Sequence, residues 1–151
     1  MKILHHFVVA GSPISVNRYG THPYKAWRQR VYAVSVQGHR TGIKITTPTS
    51  VVVRYFRHLD RRKDVDNILK AILDALDGRN GSKGKKDLRR ILSDDREVER
   101  ITSQRTDLNF HNVLYGTALT PMEFAAILRA QYNQAAIYVR VQDPPDHSKA
   151  V

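Results

Sequence analysis

The chain of 151 residues has no cysteine. It can therefore form neither a disulfide nor a thiolate zinc site, and a reducing, cytoplasmic setting is the simplest reading. No stretch is long and apolar enough to span a bilayer, so no membrane partner is expected. The start, Met1 to Phe7, soon turns polar and lacks a signal-peptide cleavage site. Internal repeats, a Walker-type phosphate loop and a Ser-His-Asp constellation are all missing. Acids are scarce: 14 Asp and Glu stand against 25 Lys and Arg, for a net charge of +11. That imbalance points to a polyanionic partner and says little about fold. A ribosomal protein, a membrane-surface protein or a merely basic soluble one would fit it too. The length suits one domain with a real core.

The few acids are grouped. Arg61 to Gly78 reads R-R-K-D-V-D-N-I-L-K-A-I-L-D-A-L-D-G, and Ser93-Asp94-Asp95 follows downstream. Val65, Ile68, Leu69, Ile72, Leu73 and Leu76 follow the i, i+3, i+4, i+7 rule of a helix with one buried face. Asp66, Lys70, Asp74 and Asp77 are then expected on the opposite, solvent side. Asp64 would cap this helix and Gly78 would stop it.

Taken alone, the acids have an ordinary explanation: a cap, a dipole partner and an i, i+4 surface pair, Asp66 with Lys70. Two carboxylate groups in an otherwise cationic chain suggest instead a metal site. Mg²⁺ takes oxygen ligands from one or two carboxylates plus water and phosphate. It can polarise a phosphodiester and activate water, while a nearby lysine steadies the added negative charge.

The paired motifs D-V-D-N-I-L-K with D-A-L-D-G, and L-S-D-D-R-E-V, resemble the RusA family of Holliday junction resolvases. The early segment Pro13-Ile14-Ser15-Val16-Asn17-Arg18-Tyr19 is similar to that family's P-x-S-x-N-R-Y turn. The resemblance covers most of residues 3 to 106. It implies that Asp64, Asp66 and Asp95 bind Mg²⁺, that Lys70 is the catalytic lysine, and that Asp94 is an acidic neighbour. It also implies cleavage of branched DNA, the four-way junction, by a homodimer. Asn17 and Arg18 in the early turn are candidate DNA contacts. So are Arg61, Arg62 and Lys63 just before the acids, although an ordinary charged loop would look the same. Residues 79 to 90 depart from the family pattern, being longer, glycine-containing and cationic. Lys83, Lys85 and Lys86 could clamp DNA there, or the segment could be a tolerated, mobile insertion.

The remaining elements follow from periodicity. Residues 3 to 10 read as a first strand, with His5 and His6 pointing to opposite faces. Tyr24, Trp27, Val31 and Val34 mark a helix, with Trp27 as a core anchor. Lys25, Arg28 and Arg30 fit either a solvated face or DNA-backbone contact. Residues 43 to 57 and 97 to 106 read as strands, the latter marked by Val98 and Ile101. Thr120-Pro121-Met122-Glu123 is a capping box opening a helix with Phe124, Ile127 and Leu128 buried. Residues 136 to 141 make the last strand. The order gives a small α+β domain over residues 1–142, helices packed on a mixed sheet, with a frayed tail over 143–151.

Overall fold

The computed structural model describes residues 2–37, 39, 44–58, 67–79, 85–108 and 119–144. Strands and helices alternate in the expected order: β1 (Ile3–Ala10), α1 (His22–Gln37), β2 (Thr49–Arg57), α2 (Leu69–Leu76), β3 (Val98–Asp107), α3 (Pro121–Asn133) and β4 (Ala135–Gln142). The four strands form one mixed sheet, β1-β4-β2-β3. β4 lies antiparallel to both β1 and β2, while β2 and β3 are parallel. Parallel neighbours cannot be joined by a tight turn, so the chain between them must cross back over a sheet face. That crossover carries α2 and the acidic motifs, and it makes an α+β domain.

Alternation along the strands separates two cores. Val51, Val53 and Tyr55 of β2, with Ile137, Val139 and Val141 of β4, pack under α1 and α2. Phe56, Ala136 and Tyr138 point the other way, beneath Ala126, Ile127 and Ala130 of α3. His5 and His6 divide as expected: His5 Nε2 lies 2.6 Å from the Ser35 carbonyl under α1, and His6 Nδ1 lies 3.2 Å from the Tyr138 hydroxyl. Trp27 is the expected core anchor.

Three expectations are corrected here. β2 begins at Thr49 rather than 43. Arg28 is buried beside the Tyr24 ring instead of solvated, because α1 packs against α2 as well as the sheet. Phe124 and Leu128 are exposed, at 56% and 43%, while Glu123 is buried at 1%.

Glu123 explains how α3 is turned. Its carboxylate meets Arg54 Nε of β2 at 3.0 Å and accepts from Arg140 Nη1 of β4 at 3.2 Å. The capping box is present too, Thr120 Oγ1 accepting from the Glu123 amide at 3.2 Å. Two strand arginines thus pull the first turn of α3 onto the sheet by a residue that hydrophobic periodicity assigns no place. The Arg54 contact is close but poorly aligned for a hydrogen bond. Removing the acid leaves two guanidinium groups facing each other in a dry site. Glu123→Gln, which keeps the side-chain shape, should cost about 3 kcal/mol of unfolding free energy by urea titration. A loss under about 1 kcal/mol, the scale of surface pairs, would deny the triad that role.

Candidate active site

Helix α2 begins at Leu69, with Ile68 at its N-cap position and no side-chain cap, so Asp64 is not its cap. The C-terminal end follows the expected pattern in detail. Gly78 has φ +74°, its amide bonds to Ala75 O at 3.1 Å, and the Arg79 amide bonds to Asp74 O at 2.9 Å. Those two bonds make a Schellman stop, which needs the left-handed residue that glycine supplies. A Cβ at Gly78 would also come within 2.7 Å of Arg90 Cβ. The helix therefore ends in a tight reversal with the returning chain pressed against it.

That reversal overturns the expected exposure of the helix's polar side. Lys70, Asp74 and Asp77 share one face at i, i+4 and i+7. Yet Asp74 is 7% exposed and Asp77 is fully buried. The chain leaving Gly78 doubles back, Arg79 and Lys86 pairing as an antiparallel bridge, and covers the last turn. Arg79 Nε donates to Asp77 Oδ2 at 2.7 Å, and Lys86 Nζ donates to Asp77 Oδ1 at 2.9 Å. Burial without those two cations would be prohibitive for a carboxylate. At these residues the basic insertion, expected to be mobile, is instead fastened to the helix end.

Each cation also reaches the second acidic motif. Lys86 Nζ lies 3.4 Å from Asp94 Oδ2, and Arg79 Nη2 lies 3.8 Å from Asp95 Oδ2. Asp94 caps the 3-10 turn Asp95–Glu97, accepting from the Arg96 amide at 2.9 Å and from its guanidinium. Those Arg96 bonds, the amide first, hold the Asp94 carboxyl well below the usual range. Asp95 goes the other way. Desolvation, then its hydrogen-bonded neighbour Asp94 and the charge of Asp77, raise its pKa, with Arg79 opposing. Asp94 is satisfied as a cap, and Asp95 is the acid still in need of a counter-charge.

At the other end of the same helix face, Lys70 Nζ sits 3.3 Å from Asp74 Oδ2 and 5.3 Å from the centre of the Tyr19 ring. Seven residues of helix, about 10 Å, separate Lys70 from Asp77. Asn17 and Arg18 lie in the 3-10 turn Val16–Arg18, exposed, with Ser15 as its cap. The Val16 amide bonds to Asn67 O at 2.8 Å, fixing this turn to the start of α2. The early turn, Lys70 and Asp95 are thus gathered around one short helix. Lys85 is exposed and Lys86 engaged as above. Asp64, Asp66, Arg61, Arg62, Lys63 and Lys83 lie outside the described residues.

Asp77 and Arg79 are the residues that sequence reasoning missed. The signal was present: an acid immediately before a C-terminal glycine, with a basic residue directly after it, marks a reversal where such a pair can close. Among the described residues, no three His, Asp or Glu side chains gather as a metal-ligand group. The donor chemistry at Asp95 fits a hard divalent cation, being all oxygen and short of positive charge.

Residues 7–106 match the family model described as Endodeoxyribonuclease RusA. The chain belongs to this family of Holliday junction resolvases. No curated protein matches it. No helix among the described residues is long and apolar enough to cross a membrane.

The raised pKa of Asp95 carries a sign. Its charge is a cost to the fold at neutral pH, and that cost disappears as pH falls through the raised value. Asp95→Asn should therefore raise the melting temperature of the metal-free protein at pH 7, with the gain closing under acid. Mg²⁺ should stabilise the wild type more than the variant, because it binds only the folded acids. Equal Mg²⁺ shifts in the two proteins would remove Asp95 from any metal site.

Proposed function

We propose that the chain is a Mg²⁺-dependent, structure-selective endonuclease that resolves four-way DNA junctions in recombination and repair. The observation that carries this reading is the family match over residues 7–106, which contains both acidic motifs and Lys70. Asp64, Asp66 and Asp95 would hold the ion. When bound, Mg²⁺ supplies polarisation of the phosphodiester and activation of water. The Lys70 ammonium, 46% exposed and steadied by Asp74 and the Tyr19 ring, is the group to stabilise added negative charge on the phosphate. Asn17, Arg18, Arg61, Arg62, Lys63, Lys83 and Lys85 are assigned to the DNA backbone, in keeping with the net charge of +11. Lys86 adds to that field from within the acid cluster. The catalytic domain spans residues 1–142, with 143–151 a tail, and the cytoplasm is its compartment.

A rival reading, a basic DNA-binding protein with purely structural acids, draws support from Asp77 and Asp94, which are both ion-paired. Asp95 is what separates the two, because among the described residues its cation partner, Arg79, stands off at 3.8 Å while desolvation disfavours its charge.

Resolution takes two opposed nicks, and one chain offers one acid constellation. The economical arrangement is a C2 homodimer with both clusters facing the DNA. Helix α3 suits the interface. Phe124, Leu128 and Tyr132 form an exposed i, i+4, i+8 stripe, and the helix's only charges, Glu123 and Arg129, cancel. Asp66→Asn should abolish cleavage and leave junction affinity intact or higher, since it removes a ligand and a repulsive charge together. A dimer pairing wild-type and Asp66→Asn subunits should nick one strand and stall. Wild-type cleavage by Asp66→Asn would refute this active site, and a monomeric mass by light scattering on junction DNA would refute the dimer.

A further inference from the structure

Asp77 has no place in the chemistry above, yet it is a fully buried carboxylate bound to two cations. What it does is visible in Arg79. One edge of that guanidinium is fixed, Nε donating to Asp77 Oδ2 at 2.7 Å. The side chain is still 50% exposed. Among the described residues its Nη atoms make no hydrogen bond, and the carboxylate facing them, Asp95, stands off at 3.8 Å. A guanidinium held by one edge and open at its fork has the geometry for a bidentate oxyanion. The cluster beneath it carries no surplus of positive charge, since Asp77, Asp94 and Asp95 face Arg79, Lys86 and Arg96, so the open fork is the part that can donate to a phosphate.

We propose that Arg79 is a phosphate-binding residue of the nuclease site, and that buried Asp77 is the positioning residue that aims it at the DNA backbone beside Asp95. The proposal rests on the reading of the chain as a DNA nuclease. It accounts for the fixed hairpin stem: the Schellman stop, the Arg79–Lys86 bridge and the Asp77 pairs together set the direction of one side chain. Pre-ordering the fork lowers the entropy lost on binding phosphate, which a free surface arginine would lose in full.

The test is junction and duplex affinity over a salt series in EDTA, where binding is read without cleavage. Arg79→Ala should bind both DNAs roughly tenfold or more weakly, the scale of a charged hydrogen-bonded contact. Its slope of log K against log salt should be shallower by roughly 0.9, one phosphate contact. Arg79→Lys should keep the wild-type slope and regain only part of the affinity, because it restores the charge without the fork. Asp77→Asn should match Arg79→Ala, and the double variant should be no weaker than either, as coupled residues require. If Asp77→Asn does not fold, by circular dichroism, the two Arg79 variants decide alone. Wild-type slope and affinity in Arg79→Ala would overturn the proposal. So would Arg79→Lys equal to wild type in both, which leaves only a through-space charge. A wild type with no preference for junction over duplex would refute the resolvase reading instead, and the duplex slopes would still decide Arg79.

Discussion

The candidate site depends on one buried charge. Asp77 ends a short helix, lies wholly out of solvent, and is met there by Arg79 and Lys86, which close on it from the returning chain. Those same cations face Asp95 and Asp94. The ion pairs therefore fasten the helix end, the hairpin stem and the second acidic motif into one unit. They act together with backbone bonds, Leu92 N to Leu76 O at 3.0 Å and Asp87 N to Gly78 O at 2.9 Å, that tie the returning chain to the helix end. Buried ion pairs add little net stability over an apolar core, and their use is better sought in the arrangement they specify.

The same logic recurs on the opposite face of the sheet, with other consequences. Glu123 draws Arg54 and Arg140 toward α3 and thereby sets which side of that helix is covered. The apolar residues it displaces, Phe124 and Leu128, become surface. In both places a charged side chain outranks hydrophobic periodicity, and in both it does so by pairing with cations from neighbouring elements.

This is also where the sequence ceased to be legible. Element order, the α+β class, the Gly78 stop, the capping box and the buried Trp27 all follow from local rules, because turn chemistry and apolar spacing act within a few residues. Asp77 and Asp74 were expected in solvent, since a helical wheel assigns polar residues outward. It cannot see a hairpin folding back over the polar side. A helical wheel of α1 likewise cannot see α2 lying against it, and Arg28 is buried. Spacing and resemblance single out Asn17, Arg18, Lys70 and Asp95, and the structure places all four in or beside α2. The succession Asp77-Gly78-Arg79 marks a reversal, but no local pattern reports the burial of Asp77 that orders Arg79.

The central claim is that the acids around α2 cut branched DNA with the help of a divalent ion. The most direct measurement is cleavage of a four-way junction, a flap, a duplex and a single strand, each with Mg²⁺ and with EDTA. A junction resolvase gives symmetric paired nicks across the junction in Mg²⁺, far slower cutting of the other substrates, and no product in EDTA. Equal cutting of all four DNAs, or product in EDTA, contradicts the claim.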